Sequence, residues 1–138
     1  MAKVVHLFSA AEGSPKDFTL QSANELVPLI RRYTEEALQE TQKIALKLEF
    51  FDKSSSQYKV LSKTHDQAIL RWAEKIHRLG GLAKGLWTVD FDTGRGYLCW
   101  SYPEEQIEHF HSYDEGFKNR KPLSPSHGTA LEAPPPVI

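Results

Sequence analysis

The sequence predicts an α+β fold, a long antiparallel helical hairpin followed by a small three-stranded antiparallel sheet. Three observations carry that expectation. From Val27 onward, Ile30, Thr34, Ala37, Thr41, Ile44, Leu48 and Phe51 recur at alternating spacings of three and four, which holds them in one seam along about seven helical turns. A second seam, Ile69, Trp72, Ile76 and Leu79, runs into Gly80-Gly81, the residues that close a helix through a left-handed cap. After Gly85 the apolar period drops to two, with Trp87, Val89 and Phe91 alternating with Thr88 and Asp90.

Each element follows in order. Residues 1–15 form an N-terminal arm, with a short apolar patch at Val4, Val5, Leu7 and Phe8 and a turn at Gly13-Ser14-Pro15. Thr19 stands where an N-cap accepts a backbone N–H, with Phe18 as the apolar residue before it, so the first helix begins at Leu20. Arg31 with Glu35 and Arg32 with Glu36 mark its wet face. Pro28 removes the hydrogen bond to the Asn24 carbonyl and should bend the first two turns. The polar cluster Asp52-Lys53-Ser54-Ser55-Ser56 turns the chain, and the second helix is expected from Ser62 or Thr64 to Leu79. Asp92-Thr93-Gly94-Arg95 closes a hairpin onto Tyr97–Tyr102, and Gln106–His111 returns as the third strand. Residues 16–123 therefore read as a single domain, and 124–138, ending in Pro134-Pro135-Pro136, as a Pro-rich extended tail.

Composition narrows the function classes. With 138 residues, 40% apolar and 25% charged, the chain supports one core. No stretch has the apolar length of a membrane span or signal peptide, so a cytoplasmic location is expected. A net charge of -1 does not suit a protein built to neutralise many phosphates, and nucleic-acid binding is not expected. The single cysteine, Cys99, excludes an internal disulfide and a multi-cysteine metal site, and its aromatic strand points to a buried inert thiol. Leu26, Tyr33, Leu38 and Leu46 lie off the main seam, more apolar surface than a two-helix hairpin covers; a homodimer through the helices is expected.

The densest polar constellation runs from His109 to Arg120. On a strand His109 and His111 point to one side, a spacing that suits zinc, manganese or iron, with Asp114 or Glu115 as an oxygen ligand. The plainer reading is a pair of solvated or carbonyl-bonded histidines. Asp90, in mid-strand, either is buried against a partner such as the histidines or Arg120, or occupies the wet face of a half-exposed sheet. Trp87, Tyr97, Trp100, Tyr102 and Phe110 read as core or interface aromatics, since Glu104, Glu105 and Glu108 make their surroundings acidic.

Taken together, Asp17-Phe18-Thr19-Leu20, Ala23-Asn24, Val27-Pro28, Gly85-Leu86, Asp90-Phe91, Tyr97-Leu98-Cys99-Trp100, Phe110-His111, Asp114, Gly116-Phe117, Arg120 and Pro122-Leu123 resemble the ordered motifs of a prokaryotic family of unknown function, the domain-of-unknown-function family 2203. The family pattern is aromatic where this chain has His109, and acidic where it has Gln21 and Ser22, which removes a helix-borne carboxylate and weakens the capping box. The resemblance implies a functional cluster of Asn24, Asp90, His111, Asp114 and Arg120, gathered where the first helix meets the sheet. Such a cluster either binds a metal or small anion or braces the junction. Two functions are expected from different classes. The first is a non-enzymatic protein-interaction or oligomerisation domain; the second is a metal-dependent hydrolase with zinc or manganese on Asp90, His111 and Asp114.

Overall fold

A computed structural model of the chain describes residues 17–123, so the arm and the tail lie outside the described residues. Helix α1 spans Leu20–Leu48 and α2 spans Ser56–Arg78. An antiparallel sheet follows in the order β1 (Leu82–Gly85), β2 (Thr88–Asp92), β3 (Tyr97–Ser101), β4 (His109–His111) and β5 (Lys121–Pro122). The sheet thus has five strands, not three. The two additions are edge strands too short for a period to show: β1 is Leu-Ala-Lys-Gly, and β5 is two residues that pair with His109 and Phe110.

The start of α1 is capped by Thr19, whose side chain accepts from the Ser22 N–H, while the Ser22 hydroxyl accepts from the Thr19 N–H. A serine therefore closes the capping box in place of an acid, and the box is not weakened at this position. Pro28 is exposed and the helix runs through it unbroken. The predicted seam is buried from Val27 to Ile44; Leu48 is half-buried, and Phe51 lies beyond the helix and exposed. Helix α2 begins earlier than the sequence indicates, because Ser55 supplies the cap by accepting from the Tyr58 N–H. At its end Gly80 adopts φ 94°, and a side chain at Gly81 would meet Val89 at 2.8 Å, so the pair lets the chain both reverse and lie close against β2.

The sheet covers only one end of the hairpin. Ala23, Val27, Ile30, Trp72 and Ile76 form the core with Val89, Phe91, Leu98, Trp100 and Phe110. Within it the Trp72 indole N–H donates to Thr34 Oγ1 at 2.9 Å, and Trp72 meets Trp87 edge-on. Away from the sheet the hairpin has only its own seam, Thr41 and Ile44 of α1 with Ala68 and Ile69 of α2, buried at the centre. No helix among the described residues is long and apolar enough to cross a membrane.

Candidate functional site

Strand alternation gives the sheet two unlike faces. Because Val89, Phe91, Leu98, Trp100 and Phe110 point into the helix-side core, their neighbours Asp90, Asp92, Cys99, His109 and His111 point to the other side. The register places Asp90 opposite Cys99 and Cys99 opposite His109, with Tyr97 between Asp92 and His111. His111 reaches diagonally across β3 and sets its Nε2 3.0 Å from Asp90 Oδ2. Asp90 and His111 are each 2% exposed. The segment after β4 folds back over this face; Tyr113 donates to Asp92 at 2.6 Å and the Ser112 carbonyl lies 2.9 Å from His111 Nδ1.

Both nitrogens of His111 thus face oxygens. When Asp90 is ionised the ring satisfies both only as a doubly protonated imidazolium, donating to Asp90 and to the Ser112 carbonyl. Burial acts to lower the pKa of this imidazole, but Asp90, aided by the backbone at Ser112 and Glu115, outweighs it and leaves it raised above the ordinary value. The Cys99 thiol is pushed far up, first by burial and then by Asp90 beside it, so it stays protonated. One ligand atom from each of Asp90, Cys99 and His111 falls within 4.8 Å of the others. These residue types fit a metal in kind, but both the histidine and the thiol would first have to release a proton.

Beside this cluster lies a second one. Arg120 donates to Glu104 at 2.7 Å, and Glu104 also accepts from the Ser101 N–H at 2.9 Å. Burial would lower the Arg120 pKa, but Glu104 holds it raised. Above the first cluster, a cavity of about 550 Å³ opens between β1, β2, β3 and the segment after β4, with Asp90 and His111 among its lining residues.

Residues 16–123 match the family model described as "Uncharacterized conserved protein (DUF2203)". The chain belongs to this family. No curated protein and no solved structure matches it.

Of the five polar residues singled out in this DUF2203 chain, the structure brings Asp90 and His111 together and sets Arg120 near them, on the far side of Cys99. That meeting point is the sheet face turned away from the helices, not the junction of the first helix with the sheet. Asn24 does sit at that junction, where its Oδ1 accepts from the Ile107 N–H at 2.7 Å and ties α1 to the loop before β4. Asp114 is exposed and stands outside the Asp90–Cys99–His111 group; three residues past His111, where β4 ends, it has left the strand and its alternation. His109 faces Glu104 at 3.7 Å, not His111's partner. Sequence reasoning missed Cys99 as the neighbour of Asp90 and missed Glu104, Lys84 and Tyr113. For Cys99 the turn alone was not enough, since closing the hairpin at Asp92–Arg95 would set Asp90 across from Tyr97, whereas the strands close at Asp92–Tyr97 and bring Asp90 opposite Cys99.

The far end of the hairpin is a different kind of surface. Leu46, Phe50, Phe51 and Val60 are all exposed there, Phe50 by 84% and Val60 by 64%.

Proposed function

We propose that this protein is a non-enzymatic oligomerisation domain, a homodimer joined through the distal half of its helical hairpin. The observation that carries the reading is the group Leu46, Phe50, Phe51 and Val60, four large apolar side chains exposed at one end of the molecule. The sheet does not reach them, and two helices alone have no third side on which to bury them. A second copy supplies that side as a four-helix arrangement about a twofold axis, each copy covering the other's patch. Acids and bases are interleaved along this region (Glu40, Lys43, Lys47, Glu49, Lys59, Lys63), so self-association meets no single-sign charge barrier.

Sedimentation equilibrium on the full chain tests this. A dimer is expected for the wild type, and a folded monomer for the Phe50→Glu/Val60→Glu double variant, whose side chains already face water in the single chain. A wild-type protein that stays monomeric at the highest attainable concentration overturns the reading.

One observation favours a second reading, a metal-dependent hydrolase with zinc or manganese, namely the three metal-capable groups Asp90, Cys99 and His111 within 4.8 Å. About one equivalent of metal per chain, lost in a folded His111→Ala variant, would support it. Absence of metal after incubation with zinc and manganese ends it.

A further inference from the structure

We propose that the cavity on the polar face of the sheet binds a small planar ring that carries an N–H donor and an anionic substituent, the chemistry of an aminopurine mononucleotide. The site shares nothing with the hairpin patch, and it takes the Asp90–His111 pair as it stands without a metal. Its volume of about 550 Å³ falls in the range of roughly 300–1,000 Å³ that small-molecule sites occupy.

Three features define the ligand. The floor holds an under-matched acceptor: Asp90 Oδ2 is taken by His111, while Asp90 Oδ1 is buried with no nitrogen or oxygen donor among the described residues and only the Cys99 thiol, a weak donor, beside the carboxylate. A buried carboxylate oxygen left so is costly, and a ligand N–H entering the cavity would satisfy it. With a single oxygen free, one donor group suffices and a bidentate partner is not required. The mouth is apolar. Leu86, Tyr113 and Phe117 line the cavity and are three of the large hydrophobic side chains this protein leaves exposed; a flat ring seated among them removes that surface from water. The wall carries a cation without a counter-charge. Lys84 lines the cavity with its ammonium 5.1 Å from the centre of the Tyr97 ring, and no carboxylate lies within ion-pair distance of it among the described residues. Glu115, the one other lining side chain with a charge not matched at the floor, is turned toward the Ser112 N–H at 3.4 Å. An anionic group on the ligand therefore has a partner in Lys84, and the acceptor, the apolar mouth and the cation together describe one molecule with three parts.

The three parts are separable by titration calorimetry on the full-length protein. Adenosine 5′-monophosphate is the probe and is expected to bind one to one. Purine riboside 5′-monophosphate, which lacks the exocyclic amine, should bind about tenfold or more weakly, and ribose 5-phosphate, which lacks the ring, weaker still. Lys84→Ala, at an exposed position where folding is not at risk, should weaken the nucleotide about tenfold while leaving adenosine unchanged. No binding of adenosine 5′-monophosphate in the millimolar range overturns the proposal, as does ribose 5-phosphate binding equally well or affinity indifferent to Lys84→Ala. Dimerisation is read in a separate experiment, so failure here leaves the hairpin reading standing, and the reverse.

Discussion

The two faces of one sheet both bury most of their central side chains, by opposite means. On the helix side β2, β3 and β4 contribute Val89, Phe91, Leu98, Trp100 and Phe110 to a dry apolar core. On the other side the same strands contribute Asp90, Asp92, Cys99 and His111, all buried, under a segment that contains no regular strand until β5. The first face gains stability by removing apolar surface from water. The second cannot, and holds together because its buried acids each have a partner, Asp90 in His111 and Asp92 in the Tyr113 hydroxyl, as does the half-buried Glu104 in Arg120. A face of that kind costs desolvation and gives geometry in return, which is why the cavity lies there and not against the helices.

The largest effect should come from opening the apolar face. Phe91 is fully buried and meets Phe18 edge-on at 5.1 Å, so Phe91→Ala should destabilise the fold by about 3–5 kcal/mol, measured as a loss of urea midpoint. A change under about 1 kcal/mol would mean the two faces do not differ as described.

Next comes the matched pair. Removing one partner of a buried pair ordinarily costs about 3–5 kcal/mol; the lower end is expected for His111→Ala, because both residues line the cavity and water can enter beside Asp90 once the imidazole is gone. In a double-mutant cycle the Asp90→Ala/His111→Ala variant should lose clearly less than the two single variants added together. The pH dependence has a definite sign. The folded His111 pKa is raised above its unfolded value, so its contribution is fully present below about pH 6.5 and is lost as pH rises through the folded pKa. Wild-type stability should therefore decline over that upper interval relative to His111→Ala. A difference between the two that is flat with pH would break the pairing.

The contrast between the faces also explains what could be read from the sequence. The helix seams and the β2–β3 hairpin were legible because burial there follows a period, 3.6 in Val27–Ile44 and two in Val89–Phe91. The polar face has the same period of two, but alternation says only that Asp90 points away from Phe91. Whether that direction leads to water or to a partner depends on what the chain does after His111, and residues 112–120 carry no periodic signal. The short strands β1 and β5 failed for a related reason, since two to four residues are too few to show a repeat. Ser55 as the cap of α2 was hidden within a run of three serines, any of which has the chemistry to cap. Asn24 was found by the resemblance, but its role depends on where the loop carrying Ile107 lies, a contact between residues far apart in the chain.

A smaller effect tests a polar contact inside the apolar face. Thr34 is buried; its hydroxyl donates to the Ile30 carbonyl at 2.8 Å and accepts from the Trp72 indole N–H at 2.9 Å. Thr34→Val keeps the shape and removes both bonds, at a cost of about 1–2 kcal/mol by denaturant titration. A neutral result would show that the core tolerates apolar substitution even where it is polar now.

The smallest effect is expected at the rim of the polar face. Tyr113 donates to Asp92 at 2.6 Å, and partial burial together with that carboxylate pushes the phenol up to about 12, so it remains a donor throughout the range in which the protein is handled. Yet its ring is close to half exposed, and water can replace the bond wherever the ring swings out. Tyr113→Phe should therefore change stability by about 0.5 kcal/mol or less, while amide exchange across residues 112–116 speeds up because the segment loses one of its ties to β2. If instead Tyr113→Phe cost as much as His111→Ala, the covering segment would be held from its edge and not from the buried pair, and the polar face would owe its closure to Asp92 and not to Asp90.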